Sequence, residues 1–143
     1  MTSRVTIEED DELREILRDA RTIAVVGASA DPGRDSNMIA QFLLRAGYDV
    51  IPVNPKYNEL FGLKCYPTVA SIGRQVDIVD VFRRSEFMEE TARDATDAKA
   101  GVLWMQLGIE NYNAARLAAD SGIKVVMNRC IMVEHRRLLR KSS

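Results

Sequence analysis

One short stretch gathers residue types suited to holding an anion. GASADPGRDSN, at 27–37, directly follows an apolar run and leads into a helical pattern. Gly27 permits a tight turn, and Ser29 brings a backbone N–H together with a hydroxyl donor. A helix opening near Ser36 or Asn37 aims its free N–H groups and its dipole at whatever lies in front of it. Arg34 adds a planar fork that matches a phosphate. The spacing departs from the dinucleotide pattern G-x-G-x-x-G, because Ser29 and Pro32 stand where its second and third glycines belong. The reading is a phosphate seat; the alternative is a tight strand-to-helix turn that holds nothing.

A second turn narrows the ligand. A reader of NAD places an acidic residue after its second strand to bind the ribose hydroxyls. Here that place reads Val53-Asn54-Pro55-Lys56, with no acid before Glu59. Lys56 would attract a phosphate on that ribose where an acid would repel it, so Asn54, Pro55 and Lys56 are read as facing a phosphorylated ribose. Both NADP and coenzyme A carry one. Lys56 reads equally well as a solvated loop lysine. Arg83 and Arg84, at the end of another apolar run, suggest further anion contact, with Ser85 as cap of the next helix. Trp104 reads first as core and second as part of a site, Cys130 as a small buried hydrophobe or a reactive thiol. His135, the only histidine, has no acid or nucleophile that the sequence places beside it, and no catalytic role is assigned.

The elements that must position these residues follow a regular rhythm. Leu13, Ile16, Leu17 and Ala20 recur at helical spacing and predict an amphipathic helix over 8–20. TIAVVG (22–27), YDVIPV (48–53), VDIVDVF (76–82), VLWMQL (102–107) and IKVVM (123–127) read as buried strands. Three of the helical stretches close on Ala46-Gly47, Ala100-Gly101 and Ser121-Gly122, where glycine past the last turn supplies a left-handed cap. The helix before the fourth strand is placed at about 86–100. The stretch 56–73 has room only for a turn, a short extended piece and a small helix near 68–72, in place of a full crossover helix. The prediction is an α/β fold: a Rossmann-like, doubly wound parallel sheet of about five strands with flanking helices, forming a single domain over 1–143 with the helix of 1–20 packed on it. Ligands of such sheets sit at the carboxyl ends of the strands.

Composition excludes several classes. The 143 residues carry a formal net charge of -1, without the basic excess of a general nucleic-acid binder. The opening MTSRVTIEEDDE is polar and acidic, which predicts no signal peptide, and no apolar run reaches the ~20 residues of a membrane span. Cys65 and Cys130 match neither a metal spacing nor a disulfide framework, so the expectation is a cytoplasmic protein with reduced thiols and no metal. The basic tail HRRLLRK (135–141) reads as a solvated helix end before it reads as an anion site.

GAS (27–29), R-x-S (34–36), VNP (53–55), YPT (66–68), Val79-Asp80-Val81-Phe82-Arg83, WMQLG (104–108) and NRC (128–130) stand in one order, each near a strand end. As a set they resemble the small stand-alone CoA-binding proteins, which are similar to the N-terminal CoA-binding domain of the succinyl-CoA synthetase α subunit. The likeness runs from about residue 15 to the end. It implies a Rossmann-like fold holding coenzyme A or an acyl-CoA. By that likeness Gly27, Ala28, Ser29 and Ala30 contact the phosphates, Lys56 matches the lysine after the second strand, and Trp104, Met105 and Gln106 match the segment that ends the fourth. The synthetase's phosphorylated histidine sits on a second domain without counterpart in these residues, so the likeness implies binding without the ligase reaction. The expectation is thus a CoA binder with no catalytic residues, no nucleic-acid or membrane partner, and a protein partner or homo-oligomer as a possibility. Two other readings stand beside it: an NADP-dependent oxidoreductase, and a regulatory or partner subunit of an acyl-CoA enzyme.

Overall fold

A computed structural model describes residues 5–139. Its helices are α1 (Asp10–Asp19), α2 (Asp35–Arg45), α3 (Met88–Asp97), α4 (Tyr112–Asp120) and α5 (Ile131–Leu138). Its strands are β1 (Thr22–Val26), β2 (Asp49–Val53), β3 (Glu59–Leu60), β4 (Leu63–Lys64), β5 (Ile78–Val81), β6 (Val102–Met105) and β7 (Lys124–Val126). Five strands form one parallel sheet in the order β2-β1-β5-β6-β7. The order reverses between β1 and β5, and that switch opens a crevice at the carboxyl end of the sheet.

Both faces of the sheet are covered, which is why its strands read as unbroken apolar runs. Ile23, Val25, Ile78, Val102 and Trp104 meet Leu13, Ile16 and Leu17 of α1, Ile39, Ala40 and Leu43 of α2, and Ile131 and Leu138 of α5. Ala24, Val26, Val79, Val81, Leu103 and Met105 point the other way, onto Met88, Ala92 and Ala95 of α3 and the alanines of α4. The expected doubly wound α/β fold is therefore the observed one.

Two local features differ from the sequence expectation, the hairpin after β2 and the place of Gly101, while the small helix is found where expected. The segment after β2 folds back as an antiparallel hairpin, β3 with β4, whose tip puts Phe61 and Gly62 both at positive φ (58° and 73°). That is the backbone a two-residue turn needs to match the strand twist. The small helix near 68–72 is one 3-10 turn, Ala70–Ile72. Gly47 and Gly122 take the left-handed conformation past α2 and α4, but Gly101 is not the cap of α3. There Lys99 adopts φ 56°, and Gly101 serves a close approach: a Cβ on it would lie 2.9 Å from the Asp77 carbonyl oxygen.

Each edge of the sheet has a neighbour. Tyr66 donates its N–H to the Pro52 carbonyl on β2, and Asn54 donates its own to the Tyr66 carbonyl. On the other edge Ile7 donates its N–H to the Val125 carbonyl on β7 at 2.7 Å. The end of the basic tail, from residue 140, and residues 1–4 lie outside the described residues.

Candidate functional site

The crevice at the switch point is a cavity of about 810 Å³. Its walls come from every strand end of the large sheet: Asn54 and Lys56 after β2, Gly27 and Ser29 after β1, Phe82 after β5, Gln106 and Leu107 after β6, and Cys130 after β7. Arg34, Ser36 and Ile39 bring in the opening of α2. Four inter-strand steps of ~4.8 Å spread the five strand ends that line the cavity over ~19 Å. It suits a long ligand laid over the strand ends.

The turn after β1 is rigid through its own bonds. Gly27 has φ 86° and donates its N–H to the Val53 carbonyl, and a Cβ on it would press on the Phe82 carbonyl at 3.2 Å. Any other residue would be strained there. Ser29 Oγ accepts from the Asp31 N–H (3.0 Å), and Asp31 Oδ1 from the Gly33 N–H (2.9 Å). Asn37 Nδ2 donates to the Ser29 carbonyl, tying the turn to α2. The cap position of α2 is Arg34, whose side chain does not cap the helix; Asn37 and Met38 donate their N–H groups to the Arg34 carbonyl, and Asp35 and Ser36, which line the cavity, stand at the positive end of the dipole. The charge on this lip is mixed: Asp31 and Asp35 line it too, and the Arg34 guanidinium stands 4.0 Å from the Asp31 carboxylate.

Asn54 locks the second turn onto the first. Its Nδ2 donates to the Ala28 carbonyl (2.8 Å) and its Oδ1 accepts from the Lys56 N–H (2.9 Å). Lys56 is exposed at the rim, Pro55 is exposed outside it, and Tyr57 reaches back so that its hydroxyl accepts from the Ala30 N–H at 3.4 Å.

The structure brings Gly27, Ser29, Arg34, Ser36, Asn54, Lys56 and Gln106 together on this one cavity. Ala28 is buried behind the turn, and Ala30 is exposed beside it. The other expected residues stand elsewhere. Arg83 turns to α3, where it donates to Thr91 Oγ1 (3.3 Å), and its guanidinium lies 4.7 Å from the Phe87 ring centre. Arg84 is exposed near Glu86. Trp104 is wholly buried and donates its indole N–H to the Arg129 carbonyl, and Met105 fills the opposite core. Gln106 is the first residue of that segment to reach the cavity, with its Oε1 accepting the Ile131 N–H at the start of α5.

Sequence reasoning missed Tyr57, Phe82, Leu107 and Ile109, each within three places of a residue it chose, and Asp31 within the first turn. Cys130 proves half-buried on the wall, whereas Cys65 is buried and its thiol is pushed up by that burial. His135 stands away from the cavity, edge-on to Phe42 and Tyr48, and burial holds its imidazole below the usual value. Asp80 lies in β5, in register with Val25 and Trp104, two residues before Phe82 in the chain. It is fully buried, neither carboxyl oxygen has a hydrogen-bond partner among the described residues, and burial pushes its proton affinity well up. Among the described residues no helix is long and apolar enough to cross a membrane.

A family model described as the CoA binding domain matches residues 21–136. An uncharacterized protein of Bacillus subtilis, YneT, is 40% identical over 124 residues, which span 87% of this chain and 92% of that protein. A solved structure of a hypothetical protein from Pyrococcus horikoshii superposes with a TM-score of 0.90 at 42% identity, covering 97% of this chain and 99% of that one. The ADP-forming acetate–CoA ligase I of Archaeoglobus fulgidus is 29% identical over 121 residues; the match takes in 78% of this chain but 18% of the ligase.

Proposed function

Since the chain belongs to the CoA binding domain family, we propose that it binds coenzyme A or an acyl-CoA in the cavity at the switch point, without chemistry of its own. The observation that carries this is the cavity's composition along its length: a turn with an uncapped helix start beside it, a lysine at one end and a thiol at the other. The pyrophosphate rests on the turn from Ser29 to Ser36 and the first N–H groups of α2. The 3′-phosphate faces Lys56, with Arg34 close by, and the pantetheine arm runs over Phe82 and Gln106 toward Cys130. Binding without catalysis is supported by His135 lying off the cavity and by the wholly structural hydrogen bonds of Gln106 and Asn54. A cytoplasmic location fits two unpaired cysteines.

Isothermal titration with CoA, dephospho-CoA, NADP and NAD tests the reading. CoA binds best; dephospho-CoA binding equally well removes the role of Lys56, and no heat with CoA at millimolar concentration overturns the proposal. A second reading, a subunit that works with a partner, is favoured by the match to one part of a much longer ligase. A stable partner recovered with the protein, or a change of oligomeric state on adding CoA, supports it.

A further inference from the structure

We propose that a second cavity, beyond Cys130, receives the acyl group of an acyl-CoA and selects a short uncharged one. This rests on the proposed CoA site. The second cavity, of about 420 Å³, shares Leu107 and Cys130 with the first, so these two side chains form the wall between them. Leu107 is 68% exposed, an apolar side chain left standing between two hollows. With the 3′-phosphate at Lys56 and the pyrophosphate on the turn after β1, the remaining arm of CoA is directed along the strand ends to Cys130. A thioester at that point has its acyl group at the mouth of the second cavity.

The lining states what that group can be. Ile7, Tyr112, Met127 and Val133 supply apolar surface, and Tyr112 and Val133 are 66% and 50% exposed. Part of the polar wall is already committed. Asn128 accepts the Gly108 N–H (2.7 Å) and donates to Glu110 (2.8 Å), and Arg129 is 3.6 Å from Glu134. Among the described residues, Glu8, Glu110 and Glu134 line it against the one guanidinium of Arg129, and with Arg137 paired to Glu134 from outside the lining the balance stays net negative. A terminal carboxylate entering there would be repelled, because that guanidinium is already paired. A few methylenes against the apolar side chains gain by leaving water.

Titration of the intact protein with CoA, butyryl-CoA and succinyl-CoA decides the matter. The expected order is butyryl-CoA about tenfold tighter than CoA, from partial burial of three carbons, with succinyl-CoA no tighter than CoA. Val133→Trp fills the second cavity from an exposed position that the first does not touch; it should abolish the butyryl advantage and leave CoA affinity unchanged. Butyryl-CoA binding no better than CoA, or succinyl-CoA matching butyryl-CoA, overturns the acyl site while the CoA site stands. Failure of CoA itself to bind removes both. Should the variant fold poorly, the wild-type series alone still separates these outcomes.

Discussion

Asp80 invites a test in which a stabilising mutation is the expected result. Its carboxyl lies in the middle of β5 between Val25 and Trp104, fully buried, with both oxygens unpartnered among the described residues. A buried polar group without a hydrogen bond costs about 1–3 kcal/mol, more when charged. Asp80→Val replaces it with a side chain suited to the apolar face it shares with Val25, and should gain about that much at pH 7. For a chain of this size the melting temperature should rise by roughly 3 °C per kcal/mol. Asp80→Asn, matched in volume, keeps the polarity and removes the ionisation. The sign of the pH dependence follows from the raised proton affinity of the folded state. Below the ordinary carboxyl value of 3.8 the group is protonated folded and unfolded, and its stability contribution is fully present. As pH rises above that value the unfolded chain releases the proton first, and the contribution is progressively lost through the folded-state value. Wild type should therefore fall behind both variants as pH climbs from 4 to 8, measured by urea unfolding at each pH. If both variants were less stable than wild type at pH 7, the reasoning would be refuted, because Asp80 would then have a partner that stabilises its charge.

Asn54→Ala removes the hydrogen bond that joins the two turns and the one that braces the second, and should cost about 2 kcal/mol in urea unfolding, with weakened CoA binding by calorimetry. Lys56→Ala should weaken CoA about tenfold while leaving dephospho-CoA unchanged, and the difference should shrink at high salt. Alkylation of Cys130 should slow when CoA is added, followed by mass spectrometry; Cys65, buried and with its thiol pushed up, should stay unmodified at neutral pH throughout. Gly101→Ala forces a methyl against the Asp77 carbonyl and should destabilise by about 1–3 kcal/mol in thermal unfolding.

The large sheet was legible because burial on both faces writes each of its strands as an apolar run bounded by turn residues. The same property hid the site's boundary. With no polar alternation along 102–107, nothing marks that Trp104 and Met105 stay in the two cores while Gln106 emerges. The turn after β1 was readable as a turn, since a glycine closing an apolar run before a helical pattern marks where a strand hands over to a helix. The direction of Arg83 was not, because two adjacent arginines differ only in which way the backbone aims them; contact with Thr91 and Phe87 decides it. The β3–β4 hairpin escaped because two-residue strands carry no period, and its tip uses Phe61-Gly62 where asparagine would have signalled a turn. Lys99 taking the left-handed place beside Gly101 is a tertiary decision: the glycine is needed two residues later for the carbonyl of Asp77.

The segments laid along β2 and β7 also constrain how this chain can join others. An open parallel sheet ordinarily ends in rows of unsatisfied amide and carbonyl groups that can template a further strand from another molecule. Here Pro52 withholds one donor on β2 and Tyr66 occupies the acceptor, while Ile7 takes up Val125 on the three-residue β7. Growth by sheet continuation is thereby discouraged on both flanks. Association, with another copy or within a larger enzyme, is steered to the helical faces and the rim of the cavity, where contact with a neighbour and access of the ligand are governed by the same surface.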